Sequence, residues 1–446
     1  MDFTWLSRLQ FALTTMFHIL WPVGIIGISI FLFVVEALWL WTRDDDYYRH
    51  ARFWARLFLL NAALGVVTGI PLEFQFGMNW APFARSAGDF FGNMLGFEAA
   101  MAFMLEASFL GIMLFGWHRV RPGTHLFSTG MVAFGATLSA FWIMVGNSWL
   151  QTPAGGVFEK QGFVVHSYWD AIFNPNMPWG VSHMWVAAVQ ITLFFVGGVS
   201  AWYLLKGRDV GLFLKSFKIA LLAAIVVTPL QIYLGDGSGR SAYRYQPTKL
   251  AGMESKWETN KPGEGSSWHV VAWPDPANGR NLWSVDIPYG LSLITTRTLT
   301  GQVKGLKDFP REDWPPILLP FYGFRLMILI GTLSALLMAW SVWTWYRNRL
   351  TPEVVGSQRK LLVAWMFAAP LNYLAMEAGW VTREVGRQPY VVYGVLRTSD
   401  SASPLPVWVG SSLFIFAILY LMLFVAFLVF ARLIIARGPA RKGTGR

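Results

Sequence analysis

The chain contains no cysteine. That excludes disulfides, iron–sulfur clusters, thiolate metal sites and the C-x-x-C-H attachment of haem. Charge is also scarce. Asp, Glu, Lys and Arg make up 14% of the 446 residues, against about 25% in soluble domains, so an ordinary soluble globular protein is excluded. There are 7 histidines, of which only His18 and His183 lie at clear membrane depth, too few for haem–copper chemistry. There is no internal repeat and there are no matched halves with broken mid-membrane helices, the pattern of an aqueous solute transporter. The first apolar run has no basic leader and is too long for a signal peptide, so it reads as a membrane span.

What is present is apolar length. Hydrophobic residues make up 54% of the chain, with 24 Trp and 35 Phe. Aromatics suit membrane interfaces and also line large flat cofactors. Repeated runs of about 20 apolar residues mark membrane helices. Nine are expected, at 11–41, 54–76, 93–117, 124–148, 180–205, 215–234, 318–345, 361–380 and 408–435. The net charge of +11 reflects basic loops rather than nucleic-acid binding. Alternate short loops are rich in Lys and Arg: Arg43, Arg49 and Arg52, then Arg119 and Arg121, then Lys206, Arg208 and Lys215, then Arg347, Arg349, Arg359 and Lys360, then the tail with Arg437, Arg441, Lys442 and Arg446. The positive-inside rule places the N-terminus outside and the C-terminus in the cytoplasm. One long polar insert, residues 235–317, then lies outside, and a loop of that length in a compact protein is usually functional or disordered.

Ionisable groups at membrane depth are costly and tend to be functional. Besides the two histidines, these are Glu98 and Glu106 in "GFEAAMAFMLEASF", Arg325 beside Met327 in "FYGFRLMILI", and Glu384 with Arg387 in "GWVTREVGRQPY". The orientation places His18, Glu98, His183, Met327 and Glu384 near the outer face. Each has a bland reading alone. A membrane histidine is as often a hydrogen-bonded packing residue, and one methionine among 17 is nearly always packing. Arg325 has no packing reason to be there and suits either a carboxylate side chain or a cofactor propionate. Glu98 and Glu106 are about two helical turns apart and suit a proton relay on one face. Asn147 and Gln151 extend a polar path or simply leave the bilayer. Trp380, Glu384 and Arg387 share a face if their helix continues. His, Met and carboxylate among aromatics suit haem iron.

The segments "SRLQFALTTMFHILWP", "GFEAAMAFMLEASFLGIMLFGW", "SAFWIMVGNSWLQTP", "FRLM" and "GWVTREVGRQPY" together closely resemble subunit I of the cytochrome bd-type quinol oxidases, over nearly the whole chain. The resemblance implies an all-α integral membrane fold with nine spans, as two four-helix bundles plus one peripheral helix. It implies a terminal oxidase of the bacterial inner membrane, oxidising quinol near the outer face and reducing dioxygen without proton pumping. The implied cofactors are a low-spin haem b, a high-spin haem b, and haem d or a third haem b. His183 and Met327 match the axial pair of the low-spin haem, with Arg325 beside it. His18 and Glu384 match the ligands of the paired haems, the assignment between them left open. Trp380 and Arg387 match the surroundings of that site, and Glu98 and Glu106 the proton-delivery carboxylates. In "TKLAGMESKWET", Lys249 and Glu254 match the quinol-contacting pair. The insert is short, as in the short-loop branch, some of whose members resist cyanide. A second large membrane subunit is the implied partner, with a small single-helix subunit left open.

The surviving rivals are a membrane cytochrome that only relays electrons, which needs His183 and Met327 but not the glutamates, a colourless transporter or channel, and a structural membrane subunit.

Overall fold

The computed structural model of the protein describes residues 3–404 and 409–440. Among these, nine helices are long and apolar enough to cross a membrane. They are α1 Phe3–Thr42, α2 Asp45–Met78, α3 Gly88–Phe115, α4 Pro122–Gln151, α5 Met177–Leu205, α6 Val210–Tyr245, α7 Leu318–Tyr346, α8 Arg359–Val385 and α9 Val409–Arg437. The expected start of the last span at 408 and the tail residues Arg441, Lys442 and Arg446 fall outside the described residues. The chain is a multi-pass, all-α membrane protein.

Each apolar run became a helix because, in lipid, every backbone N–H and C=O must be satisfied within its own segment. Most of the helices overrun their apolar runs at one end or both. The largest overrun is α6, which continues to Tyr245 through "GDGSGRSAYRY". That stretch was expected to open the polar insert. An Asp236–Arg240 pair four residues apart supports the extra turns, and the insert proper starts at Pro247.

Helices α5, α6, α7 and α8 close into a ring in which each packs on the next and α8 returns to α5. Helices α2, α1, α4 and α3 pack in that order as a row, joined to the ring through α1 and α4 against α5. Helix α9 lies on the outside of α1 and α2 and is almost wholly exposed, as lipid-facing apolar helices are. The largest buried cluster holds Trp54, Phe58, Phe194, Phe213, Phe217 and Trp365, with Phe194 and Trp365 stacked at 4.8 Å.

At the end opposite the insert, the loops are tied together by charge. Lys215 reaches Asp44 at 2.5 Å and Asp46 at 3.0 Å, and Arg49 reaches Asp209 at 2.9 Å. On the insert side, three short antiparallel hairpins cap the bundle: β1 Gly156–Glu159 with β2 Gly162–Val165, β3 Trp268–Asp275 with β4 Arg280–Ile287, and β5 Tyr390–Val392 with β6 Leu396–Arg397. The insert is compact and ordered by short helices, at Pro247–Met253 and Gly290–Thr296.

Candidate haem and carboxylate site

The cluster at the insert-side end of α8 is the densest polar site in the bundle. Glu384 occupies the last turn of α8. Its Oε1 accepts from Asn147 Nδ2 at 2.9 Å and Gln151 Nε2 at 3.3 Å, both on α4. Its Oε2 is paired with the Arg387 guanidinium. Arg387 does not continue the helical face as the sequence suggested. Helix α8 ends at Val385, and Pro389 follows, which cannot continue a helix. Arg387 therefore turns back onto Glu384 and onto the carbonyl of Val391, leaving its Nε without a partner among the described residues. Trp380 sits one turn earlier on α8, half-buried. Arg383 reaches the same Asn147, donating to its Oδ1 at 2.7 Å, and also donates to Asn176 Oδ1 at 2.8 Å. Glu384 also lies within range of its charge, at 3.8 Å. One carboxylate is thus set among two guanidiniums, an arrangement worth far more in low dielectric than in water.

Lys249, on the short helix Pro247–Met253, belongs to the same cluster. It is 6% exposed, and its Nζ donates to Gln151 Oε1 at 2.8 Å. Burial pushes the amine well below the ordinary lysine range, and the Arg383 and Arg387 charges push the same way while Glu384 opposes. Glu254, 3% exposed, faces α7 instead and pairs with Arg325 at 2.7 Å. Burial raises its carboxyl above the usual range, and the Arg325 guanidinium opposes that rise. Arg325 therefore has a carboxylate partner. It also donates to the carbonyl of His269 at 2.8 Å and lies over the Phe321 ring, with Nη1 left buried and unpartnered.

Two residues along α7 from Arg325 is Met327. Its Sδ is 3.0 Å from where a Cβ on Gly379 of α8 would sit, so a larger residue there would crowd the sulfur. His183 on α5 stands in the same relation to Gly235 of α6, its Cε1 3.2 Å from the missing Cβ. Among the described residues its Nδ1 is buried without a partner, and its Nε2 makes one long contact, 3.4 Å to Gln231 Nε2. Beside it an apolar cleft of ≈ 410 Å³ opens between α4, α5 and α6, lined by Phe141, Ser182, Met184, Trp185 and Leu234 among others.

His18 on α1 packs against α2. Its Nδ1 is 2.9 Å from Thr68 Oγ1, and that hydroxyl already donates to Leu64 O at 2.7 Å. His18 Nδ1 must then be the donor, which leaves Nε2 with a free lone pair, the form in which a histidine ligates metal. The donor set fits haem iron, for which His, Met and anionic oxygen are known axial ligands. Arg325 and Arg387 each hold back an N–H for an acidic group such as a propionate.

Glu98 and Glu106 lie on α3, which is not a regular helix. Residues Glu98–Phe103 form a π-helical segment, a distortion common at functional sites. Glu98 accepts from Ser139 Oγ of α4 at 2.7 Å. The backbone of Glu106 lies against Gly135, one turn along α4. The Glu98 carboxylate and the Glu106 backbone thus meet the same helix.

Sequence reasoning passed over several other polar groups. Glu73 on α2 lies close enough to Glu98 to feel its charge. Glu377 on α8 has both oxygens buried without a partner among the described residues. At the far end of α4, His125 bonds Glu36 of α1 at 2.6 Å, and Thr129 donates to the second carboxylate oxygen at 2.8 Å, all fully buried. The signal was there in each case: a single acid inside an apolar helical run, as in "VVEALW", "PLEFQF" and "AMEAGW".

The family model for cytochrome bd terminal oxidase subunit I matches residues 6–439. The chain is 35% identical over 430 residues to cytochrome bd ubiquinol oxidase subunit 1 of Bacillus subtilis (strain 168), covering 94% of this chain and 90% of that protein. It is 32% identical to cytochrome bd-II ubiquinol oxidase subunit 1 of Escherichia coli (strain K12), covering 90% of each. Among solved structures, it resembles the bd oxidase of Geobacillus thermodenitrificans with a TM-score of 0.89 at 29% identity, covering 98% of this chain and 99% of that one.

Proposed function

Since the chain belongs to the cytochrome bd terminal oxidase subunit I family, we propose that it is the haem-bearing subunit of a quinol:oxygen oxidoreductase in the bacterial inner membrane. The observation that carries this reading is the set of buried donors held ready at the helix faces. His183 is beside Gly235, Met327 beside Gly379, His18 has Nε2 free, and Glu384 stands among cations.

His183 and Met327 would hold a low-spin haem b, with the Arg325 Nη1, unpartnered among the described residues, available to a propionate. His18 and Glu384 would hold the paired haems, one of them a high-spin haem b, the other haem d or a further haem b. Arg387 pairs directly with Glu384, and Trp380 stands one turn from it on α8. When bound, the haems supply the one-electron transfers that link quinol oxidation to dioxygen reduction.

The insert is the quinol-contacting segment and lies outside. Burial lowers the proton affinity of the Lys249 amine there, and the amine is one contact for a quinol hydroxyl; Glu254 is fixed by Arg325 as the second contact. Protons from quinol leave on the insert side. Protons for water enter from the opposite side, and Glu106 and then Glu98 carry them along α4, Ser139 fixing Glu98 by donating to Oε1. Uptake on one side and release on the other separates charge without a pump. The second large subunit completes a heterodimer.

A reduced-minus-oxidised visible spectrum with pyridine-haem analysis tests the reading. A red band beyond the haem b region places haem d at the oxygen site, and an all-b content places the chain in the haem-b-only branch. One haem alone would turn the proposal into an electron relay, and a colourless complex would overturn it.

A further inference from the structure

The hairpin β3–β4 in the insert has one face that none of the described residues covers. Val271 and Val285 are cross-strand partners. Side chains alternate along a strand, so Trp273, Trp283 and Ile287 continue that face. All five are exposed: Trp273 to 56%, Trp283 to 52% and Val285 to 58%, with Val271 and Ile287 close behind. On β3 the opposite face is the one that packs, with Ala272 and Pro274 buried, while Ser284 and Asp286 of β4 stay exposed.

The position of the hairpin says what covers the free face. On α7, Tyr322, Leu329, Leu333 and Leu336 are exposed and recur at helical spacing as one stripe, the lipid-facing side of a membrane helix. Tyr322 is the insert-side end of that stripe, and its hydroxyl donates to the carbonyl of Ala272 in β3 at 3.1 Å. Arg325, one turn deeper, donates to His269 O at 2.8 Å. The hairpin is therefore fastened to the perimeter of the bundle, within the first turns of a membrane span, and not over its centre. A patch of two tryptophans and three β-branched aliphatics is unusual on a water-exposed surface. Tryptophan is enriched at the headgroup level of bilayers.

We infer that this face of the hairpin is a membrane-contact surface, seated in the insert-side leaflet as a continuation of the lipid-facing stripe of α7. It holds the insert down at the bilayer surface. The inference does not depend on the oxidase reading, only on α7 crossing the membrane.

Because the chain has no cysteine, a nitroxide can be placed at one position at a time. Val285→Cys and, separately, Trp283→Cys are labelled in the intact complex, the other subunits free of reactive cysteine, reconstituted in phosphatidylcholine–phosphatidylglycerol vesicles. Glu264→Cys, in an exposed turn of the insert, is the water-facing control. Collisional relaxation by oxygen and by a water-soluble nickel chelate reports the surroundings. The expected result is a label at 285 and 283 reached severalfold better by oxygen than by nickel, with the order reversed at 264. Nickel access at 285 and 283 equal to that at 264 would put the face in water and overturn the inference. Protection from both reagents would mean that another subunit covers it, and would overturn it equally.

Discussion

Glu254 of the insert and Arg325 of α7 form an ion pair of 2.7 Å in which both side chains are almost wholly buried. It joins the insert to a membrane helix two residues from Met327. Replacing one partner leaves the other charge buried and uncompensated, which costs about 3–5 kcal/mol. Arg325→Met is therefore expected to lower the thermal midpoint of the complex and to open the insert to protease. The double variant Glu254→Met with Arg325→Met recovers much of that loss, since an apolar pair in place of a buried ion pair is often close to neutral. Differential scanning of the three proteins checks this.

Met327→Leu keeps the volume of the side chain, a swap that usually costs less than about 1.5 kcal/mol in packing, but removes the sulfur. On the proposed assignment the complex still assembles and loses its low-spin haem signal in the reduced spectrum, as does His183→Ala. A variant that retains the full spectrum would remove Met327 from the ligand set.

Glu106→Gln and Glu98→Gln preserve shape and remove a titratable proton. If these groups deliver protons, quinol-dependent oxygen consumption falls about 10²-fold or more, with haem content unchanged. Oxygen electrode traces beside the reduced spectrum separate loss of proton delivery from loss of haem.

Lys249 gives stability a pH dependence. Its folded amine binds a proton less readily than the unfolded one, whose ordinary value is 10.5. Between the lowered folded value and 10.5 the unfolded chain holds more protons, so stability rises with pH through that window and is lost as pH falls. The slope is at most about 1.4 kcal/mol per pH unit for one group. Lys249→Met removes this contribution, and thermal midpoints measured from pH 7 upward should rise less steeply than in the parent.

The membrane helices were legible because an apolar run in lipid has only one way to satisfy its backbone. The end of α6 was not, because "GDGSGRSAYRY" has the composition of a loop and is helical through its own hydrogen bonds and the Asp236–Arg240 pair. Glu384 and Arg387 were legible as neighbours, but their pairing depends on the chain turning back after Val385, which no helical wheel shows. Arg325 was recognisable as anomalous, while its partner lay 71 residues away in the insert. The bond between His125 and Glu36 was missed for a similar reason: two isolated polar residues, each in a separate apolar run, meet only once α1 packs on α4.

The wide turn in α3 has a consequence for how its sequence can vary. A π-helical segment holds more residues per turn than an α-helix, so Glu98–Phe103 sets the angular offset between Glu98 at its start and Glu106 beyond its end. Removing a single residue there would restore regular helix and rotate the two residues relative to one another. Only one could then keep its place against α4, the Glu98 carboxylate at Ser139 or the Glu106 backbone at Gly135. Length in this segment is thus as constrained as chemistry: a one-residue deletion should be harsher than substituting any of the alanines within it.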